Sequence, residues 1–226
     1  MRPDAGPARR TGPPGMVIFD CDGVLVDSEP ATNAILHEDL AARGLDLTPD
    51  RVALLFTGGT MASVGETARR MGADIPDGWL HQIYGRMYTR LADGTPLIAG
   101  VEAVLDRLDA AGIGYAVGSN GALEKMRITL GQHPGVLRRL QDRLYSAHAH
   151  GTAKPAPDLY LLAARDAGMA PADCVVIDDS PAGCTAGVRA GMRTLGFAEH
   201  DDGARLRAVG AEPFHRMADL PGLLGL

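Results

Sequence analysis

From residue 96 onwards, short apolar runs alternate with segments whose apolar residues recur at helical spacing. The runs are typical of buried strands, and the segments between them are typical of helices. We predict strands at 113–118, 143–147, 174–178 and 192–197, and helices at 100–112, 122–131, 156–168 and 181–191. An earlier apolar run at 17–19 adds a first strand. Strands that alternate with helices form parallel sheets covered on both faces, so the sequence predicts an α/β fold.

Residues 30–95 interrupt this alternation. Four stretches there have helical periodicity, and no strand pattern separates them. The sequence therefore predicts an all-helical insertion at 30–95, within a core formed by 16–29 and 96–226. Residues 1–15 are rich in proline, glycine and arginine, and we expect them to form a disordered leader.

Charge and composition limit the partners of the chain. Its net charge is −6 and its basic residues are scattered, which argues against nucleic acid as a partner. No apolar stretch is long enough to cross a bilayer, and the leader has no apolar region typical of a secretory signal. The three cysteines lack metal-ligand spacing, as expected of buried thiols in a reducing compartment. We expect a cytoplasmic protein with no membrane or nucleic-acid partner, either a monomer or a weak dimer.

Two aspartates follow the first strand. Asp20 and Asp22 are separated by one residue, and Gly23 comes next. Alternate residues of an extended chain point to the same side, so the two carboxylates would lie close together. Like charges at that distance repel unless a cation or a shared proton relieves them. The pair indicates a metal site, proton transfer or both; an ordinary turn rich in Asp and Gly is the alternative.

Polar residues also follow two later segments. Ser119 and Asn120 come after the predicted strand at 113–118, where a helix begins. A hydroxyl and free backbone N–H groups at such a turn suit a phosphate, although a helix N-cap is the alternative for Ser119. Lys154, in GTAKPAPD, is one of only two lysines in the chain, which favours a fixed positive charge over an ordinary surface lysine.

The predicted strand at 174–178 ends in another pair of carboxylates, Asp178 and Asp179. Adjacent carboxylates at a strand end suit a hard cation such as Mg²⁺, which binds through oxygen. A capping box with Ser180 is the alternative for Asp179, but it does not explain Asp178. In α/β sheets, ligands bind beyond the carboxyl ends of the strands, so these groups are expected to converge.

Taken together, DCDGVLVDSE, GSNG, AKPAPD and VVIDDSPAG resemble the four motifs of the haloacid dehalogenase-like phosphatase superfamily. The resemblance covers essentially residues 16–200. The subfamily resembled has a helical cap inserted after the first motif, and it includes phosphoglycolate phosphatases, sugar phosphatases and β-phosphoglucomutase. The resemblance implies a Rossmann-like parallel sheet sandwiched by helices, with residues 30–95 as the cap domain.

The resemblance also implies catalytic and metal-binding roles. Asp20 would attack phosphorus to give an aspartyl-phosphate, and Asp22 would act as general acid and then as general base. Mg²⁺ would be held by the Asp20 carboxylate, the Asp22 main-chain carbonyl and Asp178. Asp179 would either bind the metal directly or lie behind its ligands.

Substrate binding is implied for a further set of residues. Ser119, the Asn120 backbone N–H and Lys154 would hold the phosphoryl oxygens. The cap would close over the core, exclude water and select the substrate. Three residues in a cap loop are candidates for substrate contact, with an ordinary interhelical turn as the alternative. They are Thr57, Gly58 and Gly59.

Other activities of the superfamily depend on particular residues, whose presence or absence can be checked in the sequence. Dehalogenases do not need the second aspartate of the first motif, which is present here as Asp22. Phosphonoacetaldehyde hydrolases need a cap lysine, and 30–95 contains none. β-Phosphoglucomutases hold a second phosphate with a cap-loop arginine; here Thr60 falls near that place, unless Arg51 or Arg69 fills the role.

Two other pairs have ordinary interpretations. Arg86 and Arg90 lie one helical turn apart and could attract an anionic substrate, but a solvated helix face is the preferred interpretation. His148 and His150 weakly suggest a metal site, but Lys154 nearby would oppose a cation, so we interpret them as polar loop residues.

We therefore interpret the chain as a Mg²⁺-dependent phosphatase acting on a small phosphorylated metabolite. The expected substrate is a sugar phosphate or a sugar-acid phosphate such as 6-phosphogluconate. The alternatives are a β-phosphoglucomutase-like phosphotransferase and a non-catalytic metabolite-binding protein on the same fold. Retention of Asp20 argues against the non-catalytic alternative.

Overall fold

The structure, a computed structural model, describes residues 12–56 and 60–226 of the chain. Within these ranges, six strands form one sheet in which every pairing is parallel. The strands are β1 (Met16–Phe19), β2 (Gly114–Ser119), β3 (Leu144–Ser146), β4 (Cys174–Asp178), β5 (Arg193–Phe197) and β6 (Glu212–Phe214). Their spatial order is β3-β2-β1-β4-β5-β6. The predicted parallel α/β fold is confirmed.

The central position of β1 determines where polar groups gather. β1 pairs with β2 on one side and with β4 on the other, and Phe19 is in register with Val117 and Ile177. The carboxyl ends of these three strands therefore meet at one edge. After β1 the chain continues to β2 and β3 on one side, and later returns to β4 on the other side of β1. In α/β sheets, ligands bind where the strand order reverses in this way.

Helices fill the chain between β1 and the rest of the sheet. They are α1 (Glu29–Ala42), α2 (Pro49–Phe56), α3 (Met61–Arg70) and α4 (Trp79–Ala92). Their apolar faces form a hydrophobic cluster of their own, which includes Leu36, Leu40 and Ile83. This cluster is separate from those of the sheet, so the helical unit has its own core.

A buried carboxylate joins α1 to α4. Asp39 accepts hydrogen bonds from Arg43 Nε (2.7 Å), Trp79 Nε1 (2.6 Å) and Arg86 Nη1 (2.6 Å). Burial acts to raise the pKa of Asp39, but the hydrogen bonds from Arg43 and Trp79 outweigh it and lower that pKa. Arg86 thus has a structural partner within the helical unit, whereas Arg90 is exposed.

The other helices of the described chain flank the sheet or connect its strands. They are α5 (Val101–Ala110), α6 (Leu123–Leu130), α7 (Pro134–Leu140), α8 (Ala147–His150), α9 (Asp158–Asp166), α10 (Pro181–Arg189), α11 (Ala204–Ala208) and α12 (Leu220–Leu223). Alternate residues of β1 face opposite sides of the sheet. Val17 and Phe19 belong to a cluster with α5, α6 and α7, while Met16 and Ile18 belong to one with α9 and α10.

The predicted strands and helices from residue 96 onwards are present, with ends shifted by a few residues. Helices α7, α8, α11 and α12 and strand β6 were not predicted, because elements this short show too little periodicity. β6 contains Pro213 and lies at the edge of the sheet, where proline is tolerated.

Other predictions concern the leader, the cysteines and the membrane. Of the predicted leader at 1–15, residues 1–11 lie outside the described ranges. Cys21, Cys174 and Cys184 are buried free thiols, as predicted. Among the described helices, none combines the length and apolarity that crossing a membrane requires.

Candidate active site

A buried lysine joins the ends of two neighbouring strands. Asp20 directly follows β1, and its backbone N–H donates to the Ile177 carbonyl of β4 at 2.8 Å. Lys154 Nζ lies 2.7 Å from Asp20 Oδ1 and 2.8 Å from Asp178 Oδ2. Burial disfavours the ammonium, but Asp178 and Asp20 raise the pKa of Lys154 well above its ordinary value. Lys154 is therefore a fixed positive charge between two carboxylates.

The end of β2 holds this lysine in place. The Asn120 side-chain oxygen accepts a hydrogen bond from the Lys154 backbone N–H at 2.8 Å, and its amide donates to the Lys154 carbonyl at 3.4 Å. Ser119 Oγ accepts from the Gly121 N–H at 3.0 Å. The N-cap of α6 is Ala122, so Ser119 does not cap that helix. Ser119 and Asn120 both border the same cavity as Lys154.

Asp178, at the end of β4, is fully buried and bonded on both oxygens. Tyr160 O–H donates to Oδ2 at 2.6 Å, while Ser180 donates to Oδ1 from its backbone N–H (2.9 Å) and its hydroxyl (2.8 Å). Ser180 Oγ also accepts from the Gly183 N–H and so caps α10. The predicted N-cap role therefore applies to Ser180. The hydrogen bond from Tyr160 to Asp178 was not predicted, because the position of Tyr160 in α9 is typical of a core residue.

Three carboxylates are grouped where a cation would fit. One oxygen from each of Asp20, Asp178 and Asp179 lies within 4.8 Å of the other two. Burial raises the pKa of Asp20 to about 7 against the opposing effect of Lys154, and Asp178 adds to the rise. Burial, with Asp178 and Asp20, also raises the pKa of Asp179 well above its ordinary value. Because like charges this close resist ionising together, the donor set fits a hard divalent cation.

A glycine turn brings the first motif against this cluster. Gly23 has φ of +75°, which side-chain-bearing residues rarely adopt. A Cβ at Gly23 would also collide with the Asp179 carboxylate. The glycine after Asp22 therefore lets the loop turn sharply and pack directly on Asp179.

Asp22 has partners that the sequence did not reveal. Its Oδ1 accepts a hydrogen bond from Ser28 Oγ at 2.5 Å and lies 2.8 Å from Lys125 Nζ. Burial acts to raise the pKa of Asp22, but Lys125, Ser28 and Lys154 together outweigh it and the pKa is lowered. Lys125 is the other of the two lysines in the chain, and the scarcity of lysine was the one sequence signal that could have pointed to it as a site residue.

A cavity of about 200 Å³ lies between these residues and the helical unit. On the side of the core, the cavity is lined by residues of the four motifs together with Lys125 and His148. Helices α1 to α4 and their loops contribute the acidic Glu29, at the start of α1, and otherwise only uncharged residues of the described chain: Thr32, Asn33, Leu36, Phe56, Thr60, Met61, Tyr84 and Met87. Among the described residues that line it there is no arginine, so Arg51, Arg69, Arg86 and Arg90 all lie elsewhere.

The remaining candidates are placed as follows. Thr57, Gly58 and Gly59 lie outside the described residues. His148 and His150 belong to the short helix α8, so the loop predicted for them is wrong. His148 borders the cavity and meets the Tyr84 ring edge-on at 6.4 Å between centroids, while His150 is exposed. His148 thus connects the core to α4.

Comparison with known proteins identifies relatives along most of the chain. A family model described as haloacid dehalogenase-like hydrolase matches residues 15–191. Hexitol phosphatase A of Escherichia coli (strain K12) is 31% identical, covering 85% of this chain and 87% of that protein. The 6-phosphogluconate phosphatase of the same strain is 28% identical, covering 92% and 93%.

A solved structure agrees with these relatives. A HAD family hydrolase from Deinococcus radiodurans R1, with bound phosphate and sodium, has a TM-score of 0.79 and 32% identity. It covers 95% of this chain, and this chain matches 96% of it. The family model spans the four motifs whose polar residues meet at the carboxyl ends of β1, β2 and β4. The chain therefore belongs to the haloacid dehalogenase-like hydrolase family.

Proposed function

We propose that the protein is a Mg²⁺-dependent phosphatase that hydrolyses a small phosphorylated metabolite through an aspartyl-phosphate. The observation that carries the proposal is the buried bridge from Lys154 to Asp20 and Asp178, beside a cluster of three carboxylates. The family membership and the relatives named as hexitol and 6-phosphogluconate phosphatases support the same reaction.

In this mechanism Asp20 is the nucleophile. Its carboxylate oxygen attacks phosphorus, the bond from phosphorus to the substrate oxygen breaks, and an aspartyl-phosphate forms. Lys154 holds Asp20 in one orientation through a 2.7 Å ion pair, which reduces the freedom lost in reaching the transition state. Water then attacks the same phosphorus and releases inorganic phosphate and free Asp20.

Asp22 is the proton-transfer group in the proposal. The anionic phosphate of a bound substrate favours the protonated form of Asp22, against the effect of Lys125. Asp22 then donates a proton to the leaving substrate oxygen and later accepts one from the attacking water. Ser28 Oγ, 2.5 Å from Asp22 Oδ1, orients the side chain for both steps. Two aspartates separated by one residue thus divide the nucleophilic and the acid–base work.

The phosphoryl oxygens are held from the β2 side. Ser119 contributes a hydroxyl, Asn120 a backbone N–H and Lys154 a positive charge, and all three residues line the cavity. Donors fixed before the reaction stabilise charge that redistributes over these oxygens in the transition state. The Asn120 side chain contributes indirectly, because its two hydrogen bonds to the Lys154 backbone fix the lysine.

Mg²⁺ would be held by carboxylates of Asp20, Asp178 and Asp179 and by the main-chain carbonyl of Asp22. When bound, it supplies a positive charge that offsets repulsion between the anionic nucleophile and an anionic substrate. In the proposal, residues 30–95 are a cap domain over the core. Its uncharged lining, which includes Thr32, Asn33 and Tyr84, is suited to the hydroxyls and carbons of a sugar-like substrate.

The test is phosphate release from sugar phosphates, sugar-acid phosphates, phosphoglycolate and glucose 1-phosphate, each with Mg²⁺ or with EDTA. We expect one group of substrates to be turned over with Mg²⁺ and none with EDTA. Because a cation relieves the carboxylate cluster, millimolar Mg²⁺ should also raise the melting temperature at pH 7. Full turnover in EDTA, or no turnover by a folded protein that binds Mg²⁺, would contradict the proposal.

A further inference from the structure

Lys125 occupies the cavity without a part in the proposed mechanism. It lies in the first turn of α6, and its side chain is only 14% exposed. Its ammonium is 2.8 Å from the Asp22 carboxylate, the group that protonates the leaving oxygen. Lys125 is therefore on the side of the site from which the leaving group departs, where the non-phosphorylated part of the substrate must lie.

The two lysines of the chain differ in how their charge is used. Lys154 is shared between two buried carboxylates, Asp20 and Asp178. Lys125 has one carboxylate partner among the described residues, and an ammonium carries three N–H donors. Asp22 is also held by Ser28, so it stays oriented if Lys125 turns towards another anion. Lys125 can therefore bind a ligand without leaving Asp22 unsupported.

The rest of the cavity makes this charge distinctive. Apart from Glu29 at the start of α1, the residues that the helical unit contributes to the described lining are uncharged, and there is no arginine in the described lining. Arginine binds planar oxyanions through two parallel hydrogen bonds, whereas an ammonium is a point charge that suits a single anionic group. A lysine with a flexible four-carbon stem, beside hydroxyl-bearing residues, therefore suits a substrate with one further anionic group, and the relative named 6-phosphogluconate phosphatase makes a carboxylate the group to test.

We propose that Lys125 binds a carboxylate of the substrate, so that the enzyme prefers phosphorylated sugar acids to phosphorylated polyols. This inference rests on the proposed phosphatase function and specifies its substrate class. The α4 helix, which packs against α6 and supplies Tyr84, closes the cavity beside the lysine. The substrate carboxylate would then lie between the core and α4, with the phosphate at Asp20.

The test uses two substrates that differ at one terminal carbon. 6-Phosphogluconate carries a carboxylate there, and sorbitol 6-phosphate carries a hydroxymethyl group. Wild type, Lys125→Met, Lys125→Gln and Lys125→Arg are compared for kcat/KM on both, with p-nitrophenyl phosphate as a reference ester. Melting temperatures show which variants fold, and the two neutral variants check each other.

We expect wild type to prefer 6-phosphogluconate. Both neutral variants should lose about 10- to 100-fold more kcat/KM on 6-phosphogluconate than on sorbitol 6-phosphate, the range for a hydrogen bond between charged groups. Lys125→Arg should retain much of the preference, because it retains the charge.

Two results would overturn the inference alone. One is an equal loss on both substrates, which would mean that Lys125 only positions Asp22. The other is a wild-type preference for sorbitol 6-phosphate. Turnover confined to other members of the wider panel, such as phosphoglycolate, would also overturn the inference alone. If wild type with Mg²⁺ hydrolyses none of the three esters and none of that panel, the proposed function itself fails, and the inference fails with it.

Discussion

Asp20→Asn is expected to lower phosphate release by at least about 10⁴-fold, the scale of losing a covalent nucleophile. An amide cannot attack phosphorus to form an acyl phosphate, and no neighbouring group can replace it without a different geometry. The variant should still fold, because asparagine has nearly the same shape and Lys154 keeps its 2.8 Å contact with Asp178. Steady-state phosphate release with Mg²⁺, beside a melting curve, measures both expectations.

A matched control removes a carboxylate elsewhere on the core. Asp106 lies on α5, is 63% exposed and, among the residues that the structure describes, forms an ion pair with Arg139 alone. Asp106→Asn should leave kcat/KM within about twofold, because exposed ion pairs contribute little. Turnover by Asp20→Asn close to that of Asp106→Asn would rule out Asp20 as the nucleophile.

Lys154→Met is expected to reduce both stability and activity. The change leaves two buried carboxylates, Asp20 and Asp178, without their cation, and breaking a buried pair in this way costs about 3–5 kcal/mol. The loss should be largest in EDTA and smaller in Mg²⁺, because a cation at the carboxylate cluster replaces part of the missing charge. Urea unfolding at pH 7 in the two buffers measures the free energy of unfolding.

The same substitution at the other lysine is the control. Lys125 faces a single carboxylate, Asp22, which Ser28 also holds, so Lys125→Met should cost clearly less stability than Lys154→Met. Equal unfolding midpoints for the two variants, in EDTA as well as in Mg²⁺, would show that the bridge does not stabilise the fold as described.

Much of the architecture could be predicted because its signals are local. A short apolar run followed by helical periodicity repeats along the chain, and each repeat can be recognised without knowing its neighbours. The polar residues after each strand converge because carboxyl ends of parallel strands share an edge. Asp20, Ser119 and Asp178 could therefore be placed together from the sequence alone.

The contacts that complete the site depend on distant parts of the chain. Lys154 meets Asp20 across 134 residues, and Tyr160 meets Asp178 across 18. A helical tyrosine or lysine looks the same in sequence whether it faces solvent, the core or a carboxylate. Tyr160 and Lys125 were therefore found only from the packing of α9 and α6 against the sheet edge.

The aspartyl-phosphate mechanism is tested most directly by trapping the covalent intermediate. The enzyme is mixed with substrate and Mg²⁺, quenched in acid during turnover, digested and analysed by mass spectrometry. The proposed mechanism predicts a hydroxylamine-sensitive phosphoryl group on the peptide that contains Asp20, and none in Asp20→Asn. A phosphoryl group on another residue, or turnover without any phosphorylated peptide, would contradict it.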